Sequence, residues 1–119
     1  MIKHLKNILL TLLAVLAFTG CKEDPQRHLQ LAQWYSQKGL IDEAILEYRE
    51  VTRLMPADIK SLSRADYELL ADAHYRLALM YTKKDWWGYA LQEAETCFEL
   101  LPTREHYDMV TLLRKRIDL

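Results

Sequence analysis

Apolar residues fall three and four positions apart along most of this chain, the spacing of an amphipathic helix. Leu62, Ala65, Leu69 and Ala73 recur in this way and lead on to Leu77 and Tyr81, which predicts one long helix from about Leu62 to Lys83. Ser63, with Asp66 three positions later, resembles a capping box at its start. A last helix is expected after Thr103, running to about Ile117, with Tyr107, Val110, Leu113 and Ile117 as its apolar side. The beginning of the chain is patterned differently: Ile8–Phe18 is an apolar run of 11 residues, interrupted only by Thr11 and preceded by Lys3 and Lys6. A membrane-spanning helix needs roughly 20 apolar residues, so this run is too short to span and fits the apolar region of an export signal.

The helical pattern also repeats. Leu31, Ala32, Tyr35, Ala44 and Pro56 are matched by Leu77, Ala78, Tyr81, Ala90 and Pro102, and His28 by His74, each pair 46 residues apart. Gly39 suits the positive φ that ends a helix. Asp42 is well placed to cap the helix that follows, and Pro56 cannot continue it. Small residues at Ala32 and Ala44 let two helices approach closely, with Tyr35 and Tyr48 filling the space beside them.

These blocks resemble the tetratricopeptide repeat, a helix-turn-helix unit of about 34 residues. Pro25–Asp58 matches through Leu31-Ala32, Tyr35, Gly39, Ala44, Tyr48 and Pro56, and Ala71–Arg104 through Leu77-Ala78, Tyr81, Ala90 and Pro102. The second block departs at Asp85, where glycine is usual, and at Ala94, where an aromatic is usual. The expectation is an all-α fold of two tetratricopeptide-type hairpins and a C-terminal capping helix. The surplus of 46 over 34, Ile59–Leu70, is a 12-residue insertion that lengthens the third helix of the domain, by roughly 18 Å at 1.5 Å per residue. Such an extension should overhang the neighbouring pair or swing out to another surface.

The resemblance implies a partner-binding groove lined by the first helix of each repeat. The matching positions are Gln26, Leu29, Gln33, Ser36 and Gln37, then Asp72, Tyr75, Leu79, Thr82 and Lys83. It also implies that Trp87 packs into the core while Trp86 and Tyr89, at the turn of the second repeat, face outward. Exposed Trp and Tyr suit a protein contact or a membrane interface; packing on the inserted helix is the alternative.

Thr19-Gly20-Cys21, closing the apolar run, resembles the lipobox of bacterial lipoproteins, apart from Phe18, where that family prefers Leu. The resemblance implies cleavage before Cys21 and acylation of its thiol; an ordinary signal with a chance cysteine is the other reading. The chain then divides into a signal peptide (1–20), a lipidated linker (21–25) and a helical domain (26–119). Removing 20 of 119 residues leaves 99, with a net charge of (16 − 2) − 17 = −3. No basic stripe remains to bind nucleic acid. Lys22 rather than Asp after the cysteine implies, by the same analogy, the outer membrane facing the periplasm rather than the inner membrane. Cys97 has no other cysteine to pair with and reads as a small buried hydrophobe.

Catalytic signatures do not appear. No His-Glu-x-x-His, paired cysteines or glycine-rich phosphate loop is present, and neither metal nor cofactor is expected beyond acyl chains on Cys21. His28 and His74 hold equivalent positions, so packing accounts for both. Arg114, Lys115 and Arg116 sit where positive charge favours a helix C-terminus. The function expected is a lipid-anchored envelope adaptor that binds a protein partner, of the kind that assists assembly of an outer-membrane, secretion or pilus complex. A self-associating structural lipoprotein is the alternative, and a small-molecule-binding or catalytic domain a third reading.

Overall fold

The computed structural model describes residues 2–19, 23–56 and 58–118. These form six α-helices and no strand: α1 (Ile2–Thr19), α2 (Pro25–Gln37), α3 (Ile41–Leu54), α4 (Arg64–Lys83), α5 (Trp87–Leu100) and α6 (Arg104–Asp118), with a 3-10 turn at Ile59–Ser61. The all-α class is as expected. From α2 onward each helix packs on the next, so the domain is a row of two hairpins, α2–α3 and α4–α5, followed by α6. None of the helices among the described residues is long and apolar enough to cross a membrane.

The two hairpin turns are built alike. After α2, the Gly39 amide donates to Ser36 O at 3.1 Å and the Leu40 amide reaches back to Tyr35 O at 2.9 Å; after α4, Asp85 donates to Thr82 O at 3.1 Å and Trp86 to Tyr81 O at 3.0 Å. This is the Schellman pattern, in which a left-handed residue lets two amides satisfy the last helical carbonyls. Gly39 supplies the expected positive φ, 77°, and Asp85 adopts φ 59° without being glycine. The departure at Asp85 therefore changes the residue and not the turn, since aspartate tolerates this region better than most side chains.

A second duplicated feature links the two helices of each hairpin. His28 Nδ1 lies 2.5 Å from Glu47 Oε2, and His74 Nδ1 lies 2.5 Å from Glu93 Oε2. Both partners keep the 46-residue offset. An ionised carboxylate only accepts, so the imidazole Nδ1–H is the donor in each pair. The equivalence of the two histidines reflects this bond as well as packing.

The two helices of the first hairpin start in different ways. α2 begins at Pro25, with Asp24 as its cap accepting from the Gln26 amide at 3.0 Å. The residue preceding α3 is Leu40, without a side-chain cap, and Asp42 lies inside the first turn, where its carboxylate meets Lys84 Nζ at 3.0 Å. Asp42 fails to cap because the Schellman turn carries the chain directly from Leu40 into helical geometry. It bridges the hairpins instead.

The insertion also behaves differently from a simple 12-residue extension. Its first part forms the 3-10 turn, and Ser63 then starts α4 by accepting from the Asp66 amide at 3.1 Å. α4 has 20 residues against 13 in α2, a gain of seven, which lengthens it by about 10 Å. The extension neither overhangs nor swings out. Leu70 and Ala71 bury against Leu100, with Met55, Leu62, Tyr67 and Leu101 around them, and the Tyr67 hydroxyl donates to the Leu100 carbonyl. A second, smaller core forms there because Leu62, Tyr67 and Leu70 give the extension an apolar face matching the last turns of α3 and α5.

The main core runs through α2 to α6. Ala32, Ala44, Ala78 and Ala90 are fully buried where the helices of each hairpin cross, and Tyr48 is buried between the hairpins with Leu77. Burial pushes the Tyr48 hydroxyl pKa up, partly offset by the Arg76 guanidinium beside it. Cys97 is buried and unpaired; burial first, then Asp72 and Glu105, pushes its thiol up to about 12. α6 buries His106, Val110 and Leu113. Tyr107 and Ile117, expected on the apolar side of this helix, remain largely exposed. Of its basic cluster, Arg116 stacks 4.8 Å from the Trp87 ring and Arg114 pairs with Glu95 at 3.1 Å.

Candidate partner-binding surfaces

The first-helix positions separate into three groups. Leu29 and Leu79 pack against the main core and serve the fold. Asp72, Tyr75 and Thr82 are engaged within the chain. Asp72 Oδ2 accepts from Arg76 Nε at 2.9 Å, Tyr75 donates to Glu105 Oε1 at 2.8 Å, and Thr82 Oγ1 donates to Ala78 O at 2.8 Å. The Tyr75 ring also lies 5.3 Å from that of His106, and burial and then Glu105 raise its hydroxyl pKa. Gln26, Gln37 and Lys83 are exposed, and Gln33 and Ser36 half-buried. α6 therefore covers part of the expected second-repeat surface by taking the Tyr75 hydroxyl.

A groove of about 930 Å³ lies on a different face, and none of those ten residues lines it. Trp86, Trp87, Gly88 and Tyr89 form one side, at the turn into α5, with Gln92 and Glu93 a helical turn further on. Ile45 and Arg49 of α3 and Tyr81 of α4 complete the lining. Three rings meet here. Trp86 and Tyr89 are 6.3 Å apart between centroids, Tyr81 and Tyr89 5.6 Å, and Tyr81 and Trp86 6.0 Å. Tyr81 is buried, while Trp86 is 45% and Tyr89 61% exposed. Trp87 is partly buried against the core, as expected.

Charge around the groove is arranged by neighbouring helices. Lys84 Nζ lies 5.4 Å from the Trp86 ring centroid on its way to Asp42. Glu93 is held by His74. Arg49 is exposed and makes no ion pair among the described residues. The Tyr81 hydroxyl pKa is raised, first by burial, with Arg49 acting against it and Glu93 with it.

Trp86 and Tyr89 were recognisable in the sequence; Ile45, Arg49, Gln92 and Glu93 were missed. Their signal was helical spacing, 45 with 49 and 89 with 92 and 93, but the two sets face each other only through packing of the hairpins. Cys21, the expected acylation site, lies outside the described residues. Among the described residues no three His, Cys, Asp or Glu side chains gather to hold a metal ion. No protein-family model matches this sequence, and a search of curated proteins finds no relative.

Proposed function

We propose that this chain is a lipid-anchored adaptor of a bacterial cell envelope, whose two tetratricopeptide-type hairpins bind a protein partner. The anchor half of this reading is supported by Lys3, Lys6, the apolar run Ile8–Phe18 and Thr19-Gly20-Cys21. The hairpin half is supported by the duplicated turn and the duplicated His–Glu pair at one offset. The observation that carries the partner-binding half is the exposed Trp86 and Tyr89 beside a groove of about 930 Å³. Large exposed aromatics beside a groove are costly to leave wet and useful to cover. The chain's task in this reading is to hold one macromolecule at a membrane surface; it performs no chemistry. Acyl chains on Cys21 would supply the attachment, at about 0.8 kcal/mol per buried methylene.

The deciding experiment is Cys21→Ser in cells, followed by fractionation and treatment with globomycin, which blocks lipoprotein signal cleavage. The variant is expected to leave the membrane fraction and lose globomycin-sensitive processing. Unchanged membrane association would remove the anchor from the proposal while leaving the groove untouched.

Self-association is a second reading, favoured by the outer surface of α6, where Leu112 is 67% exposed. Light scattering on the chain in detergent, with Leu112→Glu as a control, separates the two: a monomer at high concentration removes this reading.

A further inference from the structure

α2 differs in charge from the other helices of the domain. From Pro25 to Lys38 the sequence holds Arg27 and Lys38 and no aspartate or glutamate, whereas each of α3, α4, α5 and α6 carries acidic residues. α5 is the opposite case, with Glu93, Glu95 and Glu99 and neither lysine nor arginine. The cations of α2 stand on one side of it. Gln26, Arg27, Gln30, Trp34, Gln37 and Lys38 share a helical face and are all exposed, Trp34 by 50%. Leu29, Ala32 and Tyr35, on the other side, belong to the main core. Arg27 and Lys38 make no ion pair among the described residues. Lys38 Nζ lies 5.9 Å from the Trp34 ring centroid. The acids just ahead of the helix are engaged: Asp24 caps it, and Glu23 meets Arg53 Nη2 at 2.9 Å.

We infer that this face of α2 lies on an anionic phospholipid bilayer, the one in which Cys21 is anchored, so that the domain stands on its first helix. The inference rests on the anchor half of the proposed function and not on partner binding. The tether names the occupant. Pro25 follows Cys21 by four residues, a reach of at most about 14 Å when fully extended, so α2 begins beside the headgroups. The charge fits that surface. Basic side chains next to a membrane are drawn to anionic lipid, tryptophan favours the membrane–water boundary, and the acidic remainder of the domain is turned away. Two cations and one indole bind weakly alone. A short tether makes their contact intramolecular, and a weak patch then suffices to fix orientation.

The rest of the molecule offers no equal. On α6, Arg114 pairs with Glu95 and Arg116 stacks on Trp87. The groove at the α4–α5 turn contains no residue of α2. Because α2 is the first helix of the row and packs on α3, the second hairpin and that groove then stand beyond the first hairpin, clear of the bilayer.

The test takes the full chain from cell membranes and reconstitutes it in vesicles of phosphatidylcholine, with or without phosphatidylglycerol, whose acyl chains carry bromine to quench nearby tryptophan. If the chain arrives without acyl groups, coupling the Cys21 thiol to a maleimide-bearing phospholipid supplies the tether, Cys97 being buried. The face is thereby tested separately from the anchor. Emission is expected to be quenched in the anionic vesicles, and not in the Trp34→Phe chain, which retains only Trp86 and Trp87. Arg27→Gln and Lys38→Gln should each lower the ratio of docked to free protein roughly fivefold, with circular dichroism unchanged, and added salt should do the same. Three results overturn the inference: an unquenched wild-type chain on a working tether, equal quenching with and without phosphatidylglycerol, or quenching that persists in Trp34→Phe. In the first case, acyl groups found on Cys21 by mass spectrometry leave the anchor reading standing.

Discussion

Asp85 shows how far a single residue can depart from a pattern without altering the structure. Its φ of 59° matches the role of Gly39 at 77°, and left-handed geometry costs an L-residue roughly 1–2 kcal/mol, less for aspartate. Asp85→Gly is therefore expected to stabilise the chain by about 0.5 kcal/mol in urea denaturation. Gly39→Ala should destabilise it by about 1 kcal/mol, a purely conformational cost because a Cβ there would touch nothing within 4 Å. Gly39 was legible in the sequence because its conformation follows from its chemistry. Asp85 was legible only as a mismatch, since its conformation is imposed by the Schellman bonds around it. At Cys97 burial favours the protonated thiol, raising the folded pKa from 9.0 to about 12. The unfolded chain then loses this proton first, so the thiol's contribution to stability is complete below pH 9.0 and declines as pH rises towards about 12. Stability should fall above pH 9, with Cys97→Ala flattening the first part of the decline. Tyr48, Tyr75 and Tyr81, raised from 10.0, add to it at higher pH.

At the scale of elements, the helices were legible because their apolar spacing is sustained and their ends carry glycine, proline or serine. The insertion was legible as extra length and as a capped start at Ser63, but its docking was not. Whether an added turn of helix projects or folds down depends on what its far neighbours present, here Met55 and the Leu100 carbonyl. The His–Glu pairs were within reach: Glu47 and Glu93 keep the same 46-residue offset as His28 and His74. The start of α4 should be separable energetically from the rest. Tyr67→Phe, removing the hydrogen bond to Leu100, and Ser63→Ala, removing the cap, should each cost about 1 kcal/mol. Hydrogen exchange is expected to show lost protection over Arg64–Leu70 while α2 and α3 are unaffected. Uniform loss across both hairpins would mean that the extension is integral to the main core.

For the whole molecule, the repeat was the most informative part of the sequence, because one offset places pairs of residues in equivalent surroundings before any contact is known. The groove was the least legible, since it joins α3 of one hairpin to the α4–α5 turn of the other. The main core, continuous from α2 to α6, predicts cooperative unfolding despite the modular chain. Tyr48→Ala should cost about 3–5 kcal/mol, and Trp34 and Trp86 fluorescence should report the same midpoint in both wild type and variant. Two separated transitions would instead describe hairpins that melt independently. The matched turns have one more consequence. Leu40 and Trp86 sit on a common backbone, so the first hairpin is an unwritten copy of the second, and the few side chains displayed at either turn can be exchanged while the frame beneath stays the same.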